Sequence, residues 1–317
     1  MSQPSNRVVI AGGSGFLGRN LASALRRSSR EVVILTRTPK PAGDGVVEVG
    51  WNARTVGDWK SSLDGAAAIV NLVGRSVDCR KTEANCAEIL RSRVDATTAI
   101  GLALKDIRNR PRVWVQMSTA HAYGDPPKNA CDEDSPFGEG FAPMVGRAWE
   151  DAHRQHLPAD MRSVILRTSF VLGKQGGALP TLERLARFGF GGTIGTGKQG
   201  LSWIHERDMT RLMERAIDSE AMNGAYIATA PQPVSMGEFM RHLRLAVRMP
   251  IGLPSPGWMI RMAAPIIGTD PELALLGRYV VSKRLREERF EFAFPTLRAA
   301  FADLYKPAGR AASTGRG

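Results

Sequence analysis

The chain has 317 residues, 43 basic and 31 acidic side chains, a formal net charge of +12 and 43% apolar residues, which allows one large or two modest domains with a sizeable core. The basic residues are dispersed in short groups such as Arg26-Arg27 and Lys283-Arg284 and are not interleaved with aromatics, so no nucleic-acid partner is expected, and the charge is read as a solvated basic surface plus arginines facing an anionic cofactor or substrate. No apolar run suits a membrane span or a signal peptide, and Cys79, Cys86 and Cys131 keep no C-x-x-C spacing, so a cytoplasmic chain with free thiols and no membrane partner is expected, with a homodimer left open.

Residues 8–20 read Val-Val-Ile-Ala-Gly-Gly-Ser-Gly-Phe-Leu-Gly-Arg-Asn. A β-branched run enters a glycine cluster, and Leu17, Leu21 and Leu25 leave it near helical spacing, which predicts strand, tight turn and helix. Gly12, Gly15 and Gly18 keep the spacing G-x-x-G-x-x-G, and Gly13, Gly15 and Gly18 also fit G-x-G-x-x-G. Glycines so placed permit the sharp turn, let backbone approach a pyrophosphate and let helix pack on strand. The helix start then offers free N–H groups and a partial positive charge to phosphates.

A second strand is predicted over 30–36, a Pro/Gly-rich loop over 39–45 and a third strand over 67–73. A long helical stretch covers 82–107, stopped by Pro111, and a strand at 113–117 runs into Ser118-Thr119. A Pro/Gly/acidic loop spans 124–143, a helix runs from about 144 to 156, and a further strand covers 163–166. This alternation predicts an α/β fold, a Rossmann doubly wound parallel sheet with its ligand at the carboxyl ends of the strands. Beyond Gly173 the chain is glycine-rich to Gly200, continues through a helix ending near Ala216 and a strand at 226–229, and then reads as helical pieces broken by prolines, Pro265 among them. The division expected is a cofactor-binding domain over 1–172, with a returning segment about 202–230, and a smaller, mainly helical cap lobe over 173–317. Residues 308–317 read as disordered.

Residues 192–198 match G-x-x-x-x-G-K, but Gln199 stands where a Mg²⁺-binding Ser/Thr is needed, so a phosphate P-loop is not expected. His153 and His156 have no third ligand placed by the sequence and are expected on a solvated helix face rather than on a metal.

The turn Gly12-Gly13-Ser14-Gly15-Phe16-Leu17-Gly18 resembles that of extended short-chain dehydrogenases/reductases, and Ser118-Thr119-Ala120-His121-Ala122-Tyr123-Gly124 resembles the segment that follows their fifth strand. Asn71-Leu72-Val73-Gly74, Ser92-Arg93-Val94, Trp149-Glu150, the run from Leu172 to Leu179, Ser202-Trp203-Ile204-His205 and Phe294-Pro295-Thr296-Leu297 resemble an atypical branch, the sugar-nucleotide-epimerase-like proteins. The resemblance spans nearly the whole chain and names no substrate.

It implies NADP as cofactor, with contacts from Gly12, Gly15, Phe16, Leu17 and Gly18 in the turn, Thr36, Arg37 and Thr38 after the second strand, Leu72, Val73 and Gly74 after the third, and Arg93, Ser118 and Arg167 beyond. The residues favour NADP independently. An NAD site needs an acidic side chain about 20 positions past the glycines for the ribose 2′-hydroxyl; here the strand ends at Thr36-Arg37-Thr38, and a guanidinium suits a 2′-phosphate.

The usual family base, a Tyr with a Lys four residues on, is missing: the segment expected to carry it reads Met144-Val145-Gly146-Arg147-Ala148-Trp149-Glu150. Thr119 and Ser118 remain as hydroxyls that could bind a substrate carbonyl, and His121 as a proton carrier near neutral pH. Arg75 and Arg93 are candidates to line the cleft for an anionic substrate. The expected function is an NADP-dependent oxidoreductase or epimerase acting on a small carbonyl or sugar-nucleotide substrate; the alternative is an NADP-binding redox reader or partner-binding module without turnover.

Overall fold

The computed structural model describes residues 6–41, 45–125 and 130–306. The expected tail at 308–317 therefore lies outside the described residues, as do parts of the loops at 39–45 and 124–143.

Seven parallel strands form the central sheet: β1 (Arg7–Ala11), β2 (Glu31–Thr36), β3 (Val46–Gly50), β4 (Ala68–Asn71), β5 (Val113–Thr119), β6 (Arg162–Thr168) and, after two shorter insertions, β10 (Gly224–Ala228). Their order is β10-β6-β5-β4-β1-β2-β3. The chain winds outward in opposite directions from the neighbours β1 and β4, so a crevice opens where Ala11 sits beside Asn71, the place where such sheets bind ligands.

The strand interiors are apolar on both faces because helices cover both. Val8 and Ile10 join Val70, Val115 and Leu166 under α1 (Phe16–Arg27) and α5 (Glu206–Asp218). Val9, Ala11, Ile69 and Trp114 face the opposite way, under α2 (Glu83–Lys105). Helix α3 (Phe141–His156) packs beside α2. The period-two alternation of a strand assigns neighbouring apolar residues to different cores.

A third core lies beyond β6. Leu172, Leu179, Trp203, Phe239, Leu243, Leu297 and Phe301 are buried together. They come from β7 (Phe170–Leu172) paired with β9 (Trp203–His205), from β8 (Gly200–Leu201) paired with β11 (Val234–Ser235) nearby, and from α4 (Leu179–Leu185), α6 (Met236–Ala246) and α10 (Leu297–Leu304). Helices α7 (Gly257–Ile267), α8 (Glu272–Leu275) and α9 (Lys283–Glu287) complete this mainly helical region.

Four details depart from the sequence reading. β3 was not anticipated: Val-Val-Glu-Val-Gly is short and half-exposed at the sheet edge. Helix α4 forms inside the stretch expected to be loop. Pro265 lies within α7 instead of breaking it; it falls in the last turn, just before Gly268 takes a left-handed φ of +80°, so few backbone hydrogen bonds remain to be lost beyond it. The expectation of a solvated face at His153 and His156 is wrong. His153 is fully buried, edge-on to Trp114 at 4.4 Å, with Nε2 2.7 Å from Ser163 Oγ. His156 is half-buried, its Nδ1 2.9 Å from Ala152 O, and its Cβ lies so close to Gly101 that a side chain there would not fit.

Candidate active site

The turn after β1 is built as a phosphate cradle. Gly12 takes a φ of +77° and packs against the backbone of Leu72 and Val73, and an added Cβ would stand 3.1 Å from Leu72 C. At Gly18 a Cβ would fall 2.4 Å from Gly13 Cα, so α1 can cross the strand this closely only with glycine there. Gly15 differs: its Cβ would meet only Gly12 O, at an ordinary 3.5 Å, and the residue is exposed. Gly15 is also the N-cap of α1, and it supplies no side-chain cap, nor does the first turn carry an acidic residue. The uncapped N–H groups of that turn therefore point their partial positive charge at open space. Arg19 borders the turn, donating to Ser14 O at 3.0 Å.

Phe16 and Leu17 have roles other than side-chain contact with a ligand. A Cβ on Gly173 or Gly176 would meet the Phe16 ring at 2.3 Å and 2.5 Å, so the ring is clasped by the loop that follows β7. Leu17 packs on the main core. As the first two residues of α1, both also carry backbone N–H groups without an intrahelical partner.

At the end of β2, Thr36 is buried while Arg37 and Thr38 are exposed. Arg37 makes no ion pair or hydrogen bond among the described residues. Beyond β4, buried Asn71 holds the next turn in place: its Oδ1 accepts from Val73 N–H at 3.1 Å, and its Nδ2 donates to Thr97 Oγ1 and Gln116 Oε1, both at 3.0 Å. Leu72, Val73 and Gly74 thus border the crevice opposite Gly12 as a fixed wall. Arg93 lies against Gly74, a Cβ there falling 3.0 Å from its Cζ. Its Nη1 donates to Arg75 O and Ile89 O at 3.1 and 2.9 Å, and its guanidinium lies 5.0 Å over the Trp149 ring. Burial without a carboxylate lowers Arg93 to about 10, still charged at neutral pH. Arg75 is half-buried and donates to Asn85 Oδ1 at 2.7 Å.

The hydroxyls at the end of β5 divide. Ser118 is buried and donates to Glu150 Oε1 at 2.7 Å. Thr119 is half-exposed; its Oγ1 accepts from His121 N–H at 3.1 Å, and its own proton has no acceptor among the described residues. Arg167, across the sheet, meets Glu150 with Nε and Nη2 and donates from Nη1 to Tyr123 Oη at 2.7 Å. Ser118 and Arg167 are therefore held inside one buried network with Glu150 and Tyr123. Desolvation raises Tyr123 to about 12 in spite of Arg167, so its phenol stays protonated. His121 is half-buried, and desolvation together with the charges of Arg278 and Lys81 lowers it to about 3. Burial and these charges favour the uncharged imidazole at neutral pH.

Arg278 and Lys81 were not singled out from the sequence, and Glu150 was named only as part of a family motif, without a role. Glu150 carries a signal, an acid on the buried face of an amphipathic helix. Arg278 carries none, because it meets the turn at Gly124 only through the fold.

Among the described residues no three His, Cys, Asp or Glu side chains gather as a metal site, and no helix is long and apolar enough to cross a membrane. All three cysteines are free.

Residues 8–227 match the NAD dependent epimerase/dehydratase family, and residues 255–304 match a domain of unknown function, DUF1731. The chain is 32% identical over 306 residues to the epimerase family protein SDR39U1 of Bos taurus, covering 94% of this chain and 99% of that one. It is 30% identical over 300 residues to the epimerase family protein YfhF of Bacillus subtilis, covering 94% and 97%. Among solved structures it is similar to the human epimerase family protein SDR39U1 crystallised with NADPH, with a TM-score of 0.84 at 28% identity, covering 94% of this chain and 99% of that one. With a parallel sheet, a glycine cradle and matches over nearly its whole length, the chain belongs to the NAD dependent epimerase/dehydratase family, in the branch that ends in a DUF1731 domain.

Proposed function

We propose that the protein binds NADP(H) and reduces, oxidises or epimerises a small carbonyl compound held against Thr119. The observation that carries the cofactor is the pairing of an uncapped α1, open above Gly15, with an exposed and unpaired Arg37 where an NAD site would hold an acid. The relative crystallised with NADPH supports the same reading. NADP would supply the hydride chemistry. The helix start and Gly12–Gly18 would hold the pyrophosphate, Arg37 with Thr38 the 2′-phosphate, and the 72–74 wall the ribose side.

The chain's own part at the reacting end is positioning. Thr119 Oγ1 is fixed by His121 N–H and keeps a proton free to donate to a substrate oxygen. Neutral His121 can orient substrate and accept a hydrogen bond. Ser118, Glu150 and Arg167 support the Thr119 strand end from beneath. The sheet domain, residues 1–172 with the returning segment at about 202–230, would carry the cofactor and the smaller lobe in the rest of 173–317 would close over the substrate, the chain working in the cytoplasm with no nucleic-acid or membrane partner.

A reader without turnover is the second reading. It is favoured by one observation: Glu150, neutralised by Arg167, lies in the α3 segment where the family's Tyr–Lys pair would be expected. The experiment is a screen of carbonyl compounds and nucleotide sugars with NADPH, each hit repeated with Thr119→Val. Turnover lost in that variant with NADPH binding kept supports the enzyme; undiminished turnover removes Thr119 from the mechanism; tight NADPH binding with no turnover across the screen favours the reader.

A further inference from the structure

Arg278 reaches the end of β5 from the C-terminal region. Its backbone is pinned: Arg278 N–H donates to Gly200 O at 2.9 Å, and the preceding Gly277 N–H donates to Asp125 Oδ1 at 2.9 Å. Its Nε donates to Gly124 O at 2.7 Å, just past the turn that carries His121. The two terminal nitrogens have no partner among the described residues, and no carboxylate lies within ion-pair distance. Burial lowers this guanidinium to about 10, with only distant relief from Asp125. Arg278 is half-buried, and a cation partly withdrawn from water without an ion pair is an arrangement that a bound anion would relieve.

Lys81 approaches from the loop after β4, paired with a carboxylate. It forms an ion pair with Asp270 at 3.1 Å, and Asp78, on the same loop, accepts from Thr269. The loop after β4 is thus tied to the C-terminal region over the cleft, and the charges of both Lys81 and Arg278 act on His121. His121 is bonded through its backbone to Thr119. With Lys81 paired to Asp270, Arg278 is the cation beside His121 that has no ion pair among the described residues.

We infer that Arg278 is the anion-binding residue of this site, and that the substrate is a compact carbonyl compound carrying its own carboxylate or phosphate next to the reacting carbon. The inference rests on the reading of Thr119 as the substrate-facing hydroxyl. Compactness follows from the placement of the fixed edge: Arg278 Nε is held at Gly124 O, at the end of the short turn that follows Thr119, so an anion on the free edge would sit near the reacting end, whereas the diphosphate of a nucleotide sugar would be separated from that end by the sugar. A planar guanidinium with one edge fixed and the other free suits two-point contact with an oxyanion.

The test is calorimetric titration of the protein, with and without saturating NADPH, using oxalate, inorganic phosphate and uridine diphosphate as probes. Oxalate or phosphate should bind, and Arg278→Gln should weaken that binding by at least about tenfold while NADPH affinity stays within about twofold. Arg278→Lys should retain part of the oxyanion affinity. Undiminished oxyanion binding in Arg278→Gln, no oxyanion binding by the wild type, or Arg278-dependent binding of uridine diphosphate alone would overturn the proposal. Equal loss in both variants with a matching fall in thermal midpoint would assign Arg278 to folding and overturn it as well. Arg278-dependent oxyanion binding in a protein that fails to bind NADPH would sink the cofactor reading and leave this one standing.

Discussion

Arg167 and Glu150 face each other as a two-point ion pair, Nε to Oε1 at 2.9 Å and Nη2 to Oε2 at 3.0 Å, with side chains 11% and 3% exposed. The pair joins β6 to α3 under the end of β5, and Ser118 and Tyr123 complete it. The lowered-pKa phenol that the family's Tyr–Lys pair would supply is replaced by a closed, charge-balanced support. On the function proposed above, chemistry would draw on the half-exposed Thr119 and His121 and on the substrate's own groups.

Breaking this pair should be expensive. Glu150→Gln leaves Arg167 buried without its counter-charge, and a loss of about 3–5 kcal/mol is expected for removing one partner of a buried pair. Urea unfolding measures it. A loss below about 1 kcal/mol would mean that water reaches the network and that the support is looser than its geometry.

Stability should decline in mild acid. His153 and His205 are fully buried, and desolvation lowers them to about 3 and about 4. Both lie below the unfolded value of about 6.5, so the unfolded chain binds protons first. Their contribution is complete above that value and is lost as pH falls toward 4, by up to about 1.4 kcal/mol per pH unit for each histidine. Urea midpoints between pH 7.5 and 5 test this, and His153→Gln should make the slope shallower. An unchanged slope in that variant would show that His153 does not titrate on unfolding in this range.

Gly15 and Gly18 should separate cofactor binding from folding. Gly15→Val places a side chain in open space, so the fold should survive while NADPH binding is lost. Gly18→Val drives a side chain into Gly13 and should unfold the α1–β1 contact itself. Circular dichroism with NADPH titration distinguishes them; normal NADPH affinity in folded Gly15→Val would move the pyrophosphate elsewhere.

The strand–turn–helix at 7–27 was legible because local chemistry writes it: β-branched residues, glycines at fixed offsets and a helical leucine stripe all agree. The parallel sheet was legible from alternation of elements. The interior of the site was not. Ser118 and Arg167 read as groups facing a ligand, and only the approach of Glu150 from α3 shows that both bond its carboxylate. His121 read as a proton carrier from the ordinary pKa of histidine; the burial that lowers it, and the nearby charges of Arg278 and Lys81, are set by the fold. His153 and His156 read as exposed because helical spacing alone does not say which face meets the next helix. What sequence misses here is long-range burial, which sets charge states through desolvation.

The most direct measurement of the central claim is a pair of titrations, NADPH and NADH, on wild type and Arg37→Ala. Wild type should prefer NADPH. Removing the guanidinium should weaken NADPH by about 1.5–3 kcal/mol, the range for a charged hydrogen bond, and leave NADH nearly unchanged. Equal weakening of both cofactors, or no preference in the wild type, would contradict the assignment of Arg37 to the 2′-phosphate and with it the account of the cleft as an NADP site.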